Sequence, residues 1–362
     1  MPISLTPSRR KRIRRSDAAG IAWMVDREHY WTEEALREIL KRVERLCHED
    51  LAGAVSAGRS ALTILETRIL FPSADLTGLT MSIYGSTLRL AGELEKALRV
   101  YDQGLGTPGL TKGAQSDLYF RRSVTLVCLG LTEEGLQSIE SALRLNPQCP
   151  THLATRGWVR MLAGDFRGTM EDCLTVIRKG PQLPSRDLAY FAAIVNAAAC
   201  LSFEAGVRVT HEQLALLENA VQDFRSALPD RGTSFYKYQR MRHMISRAEA
   251  LILADKGMLD RSISILERVV VGLQDFPDDA LDASVDLACL LAKDGREKEA
   301  AQEVRRILEI SRTCSWRLSL SAKNVLRHAA QEASINVLQA TELRIRLRSR
   351  ERPRLSANTE AA

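Results

Sequence analysis

A recurring helical register constrains this chain more than any other feature of its sequence. Between residues 80 and 310 a glycine is followed five residues later by a small residue, then by large and small apolar residues at helical spacing. The register reads Gly92, Ala97, Tyr101, Gly104; then Gly130, Gly135, Ile139, Ala142; then Gly164, Thr169, Cys173, Val176. It resumes without the leading glycine at Ala220, Phe224, Ala227, and returns as Gly257, Ser262, Leu266, Val269 and Gly295, Ala300, Val304, Ile307. Successive small residues lie 38, 34, 51, 42 and 38 positions apart. Each interval holds one helix pair, so the chain is expected to be a stacked array rather than separate globular domains. In each unit the glycine lets the chain reverse, the small residue admits a neighbouring helix, and the larger residue fills the remaining gap.

The pattern is clearest from Tyr119 to Pro181, where GLTEEGLQSIESALRLNP is followed by THLATRGWVRMLAGDFRGTMEDCLTVIRKGP. Pro147 and Pro181 each stand twelve residues after the small residue, where a proline stops the second helix. These residues resemble the tetratricopeptide repeat family, whose pattern is W-x2-L-G-x2-Y, then A-x3-F, then P. The resemblance implies an all-α, right-handed α-solenoid of antiparallel helix pairs with terminal capping helices. Departures are visible: Met81, Tyr119 and Leu153 stand where the family has Trp, the first-helix glycine survives only as Gly85 and Gly157, and residues 203–211 are inserted. Related helical-pair solenoids therefore stay open for the later units.

The expected organisation is a basic tail (1–18), an N-terminal helical cap (19–72), the repeats (73–312), C-terminal capping helices (313–343) and a second basic tail (344–362). Thr32-Glu33-Glu34 predicts a helix start, with a capping hydroxyl and first-turn acids before Leu36, Ile39, Leu40, Val43 and Leu46. A second cap helix carries Leu51, Ala54, Val55, Ala61, Leu62 and Leu65, and Phe71-Pro72-Ser73 breaks it. Leu318 to Ala333 reads as a closing helix, whereas Leu343 to Arg348 alternates apolar and basic residues without deciding between helix and strand.

The formal charge of +6 conceals a division. Arg9, Arg10, Lys11, Arg12, Arg14 and Arg15 form an acid-free cationic start, and Arg344, Arg346, Arg348, Arg350, Arg352 and Arg354 a cationic end, leaving residues 16–343 acidic by −4. Seven scattered cysteines with no C-x-x-C pair point to reduced thiols and a cytoplasmic setting; Cys128, Cys173, Cys200 and Cys289 sit among apolar residues as core filler. The basic start is not followed by the apolar stretch of an export signal. The apolar run from Tyr190 to Phe203 is too short to cross a bilayer and reads as a buried helix.

Residues 104–109 match G-x-G-x-x-G letter for letter, but the dinucleotide fingerprint needs a strand before it, and here a helix precedes. The six histidines are dispersed without H-x-x-x-H spacing, and Glu133-Glu134 and Asp278-Asp279 lie near helix starts, where capping explains them. No cofactor or metal is expected, and a non-catalytic scaffold is favoured over an enzyme.

The resemblance places the first helix of each pair along a concave surface. Carried over position by position, the groove-facing residues would be Ser82, Ser86 and Arg89; Phe120, Val124 and Val127; Ala154, Trp158 and Met161; then Arg247, Leu251, Val285 and Cys289. This largely apolar set suits an amphipathic segment better than a clamp for an acidic terminus; core packing explains each apolar member equally well. The expected partner is a protein or peptide. The alternative is attachment to nucleic acid or an anionic surface through the basic ends.

Overall fold

The computed structural model describes residues 17–27, 31–67, 69, 71–180, 188–201, 209–228 and 235–313. All regular structure among them is helical, in fifteen α-helices. Apart from Asp17, Ala18 and Thr313, the expected closing helices and both basic tails, with Arg9 to Arg15, Arg346 and Arg348, lie outside the described residues.

The chain divides into two compact units between His152 and Leu153. The first contains α1 (Ala18–Arg27), α2 (Glu33–Glu49), α3 (Leu51–Thr67), α4 (Ala74–Leu90), α5 (Leu94–Leu105), α6 (Lys112–Cys128), α7 (Thr132–Leu145) and the opening turn of α8 (Pro150–Ala163). The helices α2, α4 and α6 each pack on the helix that follows, and α4 also packs on both α2 and α6, so the three form a row of first helices. The second unit continues from α8 with α9 (Phe166–Lys179), α10 (Leu188–Ala199), α11 (His211–Ala227), α12 (Phe235–Asp255), α13 (Leu259–Gly272), α14 (Pro277–Lys293) and α15 (Glu297–Thr313). There α12 packs on both α10 and α14, continuing the same pairwise logic.

The repeat residues perform the roles that their spacing assigns. Ala97, Thr169, Ala220, Ser262 and Ala300 are buried in the second helices, as are Tyr101, Ile139, Cys173, Phe224, Leu266 and Val304 one turn on. Five leading glycines, Gly92, Gly130, Gly164, Gly257 and Gly295, end first helices with φ between 77° and 85°. After each, the next amide donates back five residues, as in Glu93 to the Leu88 carbonyl at 2.9 Å and Leu131 to that of Leu126 at 3.0 Å. This six-to-one bond needs a left-handed residue beside it, which only glycine adopts without strain. Where the packed small residue is Thr169 or Ser262, its hydroxyl donates across the pair, to the carbonyl of Gly157 at 3.0 Å or Ala250 at 2.7 Å. A polar atom thus enters the core already satisfied.

The N-terminal cap starts as expected, with the Thr32 hydroxyl accepting from the Ala35 amide. It also has a helix that hydrophobic period had not singled out: α1 packs on α3 and buries Ile21. Phe71 adopts φ 57° in the predicted break, and Ser73 caps α4. The apolar run expected as a buried helix is α10, whose Ala189, Tyr190, Ala193 and Ile194 are buried. The G-x-G-x-x-G segment is the last turn of α5 and the bend into α6, with Gly104 against Met81 and Leu118.

Candidate functional site

Within the first unit, α4 and α6 lie side by side and are tied by polar side chains one repeat apart. Ser82, Ser86 and Arg89 share one face of α4 by their i, i+4, i+7 spacing; Asp117, Arg121 and Val124 do the same on α6. The Ser82 hydroxyl donates to the Asp117 carboxylate. One turn on, Arg121 donates through one terminal nitrogen to the Ser86 hydroxyl at 2.7 Å and through Nε to Asp117 at 2.9 Å. The helix starts are tied likewise: Asp75 accepts from the Thr111 amide at 2.9 Å, and Glu33 on α2 accepts from the Ser73 amide at 2.7 Å.

Tyr101 of α5 completes the network from behind. Its hydroxyl lies 3.3 Å from that of Ser86. It reaches that point because α4 has glycine at position 85: a Cβ there would lie 2.4 Å from the Tyr101 ring. Burial pushes the phenol up from its ordinary value, so Tyr101 stays neutral, and either hydroxyl of the pair can donate.

Phe120, half-buried on α6, stacks on His152 with ring centroids 5.3 Å apart. The His152 Nδ1 lies 3.3 Å from the Ser116 hydroxyl, which also meets the Ala142 carbonyl at 2.9 Å. Burial lowers the imidazole pKa, outweighing the opposing pull of Asp117. The neutral ring is a packing surface for Phe120.

The sequence-derived residues of this unit therefore separate. Ser86, Arg89, Phe120 and Val124 are half-buried and remain partly accessible on the first-helix face. Ser82 and Val127 are buried, contrary to their assignment as facing residues: Ser82 is bonded to Asp117, and Val127 lies beneath Gly135, whose missing Cβ would sit 2.6 Å away. They build the wall of the surface.

In the second unit Trp158, Met161 and Cys289 are half-buried, whereas Ala154, Leu251 and Val285 are core. Arg247, expected on the accessible face, is buried at 6% exposure and ion-paired with Asp286 at 2.5 Å and Asp282 at 3.7 Å, linking α12 to α14. Arg240 makes the equivalent pair with Asp279, one bond measuring 2.9 Å. Asp279 therefore bridges two helices instead of capping one. Arg156 and Arg160 of α8 converge on the buried Asp172 of α9 at 2.6 and 2.9 Å. Asp117, Arg121, Asp172, Asp282 and Asp286 were not singled out in the sequence, where Tyr101 stood only as a repeat residue and Asp279 only as a helix-start acid. The period of the sequence held the signal, since Ser82 and Asp117 lie 35 residues apart and Arg247 and Asp286 lie 39 apart.

Among the described residues no group of three or more His, Cys, Asp or Glu could hold a metal ion, and no helix is long and apolar enough to cross a membrane. Cys128, Cys173 and Cys200 are buried and form no disulfide, and burial pushes the Cys200 thiol up to about 12, as suits inert core filler.

Compared with solved structures, the chain matches a Rap protein complexed with competence and sporulation factor over 88% of each chain, with a TM-score of 0.58 and 13% identity. It matches NprR in complex with its cognate peptide NprX over 88% of this chain and 90% of that one, with a TM-score of 0.56 and 10% identity. The chain has a tetratricopeptide-like helical-repeat fold. A tetratricopeptide repeat protein from Parabacteroides merdae also matches, at a TM-score of 0.48 and 14% identity, over 80% of this chain and 98% of its own. No protein-family model and no curated protein matches the sequence. At these identities the likeness concerns the fold alone, and the tetratricopeptide-like pairs supply a frame whose use depends on their own side chains.

Proposed function

We propose that this chain is a non-catalytic scaffold that binds a peptide or a short protein segment on its first-helix faces. The observation carrying the reading is the accessible strip on α4 and α6, where Ser86 and Arg89 stand beside Phe120 and Val124 with a hydrogen-bonded wall behind them. Apolar anchors flanked by oriented polar groups suit a segment that buries some side chains and hydrogen-bonds others. Two proteins with this fold are named as complexes, one with a factor and one with its cognate peptide, which supports the same use here. The buried cysteines, none of them in a disulfide among the described residues, favour the cytoplasm as the setting.

The test is selection of binders from a random dodecamer display library against the full chain, followed by hydrogen exchange with a selected peptide. Binding is expected to slow exchange along α4 and α6 around Ser86, Phe120 and Val124. Failure to select any peptide, or protection confined to the second helices α5 and α7, would refute the reading.

A further inference from the structure

We propose that Arg89 sets the specificity of this surface, selecting a bound segment that presents an acidic side chain next to apolar ones. The inference rests on the peptide-binding reading above and deepens it.

The register between α4 and α6 singles out Arg89. Two successive levels of the paired faces are complete: Ser82 meets Asp117, and Ser86 meets Arg121, each across 35 residues. The same step taken from Arg89 arrives at Val124. Where a carboxylate would complete the third level, the chain has an isopropyl group. Among the described residues no hydrogen bond or ion pair engages the Arg89 guanidinium, although the residue is half-buried. Its charge acts on the Tyr101 hydroxyl and the Cys47 thiol, which places it beside the polar network. Arg121 acts on the same two groups but is held by Asp117 and Ser86, so its charge is already answered. Glu44, an exposed acid of α2, acts on Cys47 and Arg121.

A half-buried guanidinium has lost part of its hydration while keeping five donors in a planar fork, the geometry that matches a carboxylate through two parallel hydrogen bonds. Val124 is level with it, and Phe120 lies one turn back on α6. The complementary ligand places an Asp or Glu over Arg89 and apolar side chains over Val124 and Phe120.

The test uses the full chain and fluorescein-labelled nonapeptides with amidated C-termini, in which one Asp or Glu is scanned through an apolar and neutral background. Each has an Asn or Gln counterpart, and binding is read by anisotropy. A charge-assisted pair implies that the best acidic peptides bind about tenfold to a hundredfold more tightly than their amide counterparts. Two substitutions should abolish that difference: Arg89→Gln removes the cation, and Val124→Glu supplies its missing partner within the chain. Both variants should keep the helical circular dichroism, and within each the acidic peptides and their amide counterparts should bind equally.

Equal affinity for acidic and amide peptides, or a preference that survives either well-folded substitution, overturns the assignment of Arg89 and leaves the scaffold reading standing. If no peptide binds the wild-type chain, both readings fall.

Discussion

Replacing Gly85 with alanine sets two effects of opposite sign against each other, and the structure decides which wins. In the interior of a helix alanine is favoured over glycine by about 1 kcal/mol. At this position the new Cβ would lie 2.4, 2.8 and 2.9 Å from three atoms of the Tyr101 ring. Such distances require the ring or the helix to move. The ring is fully buried among Met81, Leu88, Ala97 and Leu118, and its hydroxyl is tied to Ser86. It has no free direction in which to yield. Overpacking costs about 1–3 kcal/mol in ordinary cores, and a rigid, enclosed ring belongs at the upper end of that range. The net expectation is a loss of about 1–2 kcal/mol after the helix preference is subtracted. Urea unfolding followed by circular dichroism should show it for Gly85→Ala, Tyr101→Leu and the double variant. With the ring removed, the alanine should become neutral or stabilising, giving a coupling of about 2 kcal/mol in the double-mutant cycle. Additive effects, or a more stable Gly85→Ala single variant, would refute the account of why this helix carries glycine.

Three other outcomes follow from separate parts of the structure. Gly130→Ala should cost about 1–2 kcal/mol through backbone strain alone, and Gly130→Asn less, in the same urea experiment, because φ is 83° at a solvent-accessible turn. Asp286→Ala should destabilise the second unit by about 3 kcal/mol by leaving Arg247 buried with only the longer contact to Asp282, whereas the double change Arg247→Met with Asp286→Leu should cost much less in thermal melts. His152 has a folded pKa below its ordinary value of 6.5, so the unfolded chain takes up its proton first. Stability should fall as pH drops from 6.5 to the folded value and level off below it, and His152→Gln should flatten this dependence. His243, also lowered by burial, retains a contribution of the same sign.

Much of the local architecture is legible in particular residues. Thr32 announces a helix start by its hydroxyl, and the leading glycines announce five helix ends by a conformation that other residues resist. The helix α1 was less legible, because its ten residues supply one turn-scale patch around Ile21 rather than a sustained apolar stripe. The candidate site was read only in part. Family positions located Ser86, Arg89, Phe120 and Val124, but they could not separate these from Ser82, Val127 and Arg247, which are enclosed.

The sequence by itself determined where helices begin and end, which faces are apolar, and the length of each helix pair, because backbone conformation and the period of 3.6 residues are local properties. Tertiary structure decided which polar groups are already satisfied. Whether an arginine is buried with an aspartate, like Arg247, or half-buried with no carboxylate on its guanidinium, like Arg89, depends on the level at which two helices meet. That level follows from packing contacts between helices such as Gly85 against Tyr101, where residues distant in the chain fit against one another.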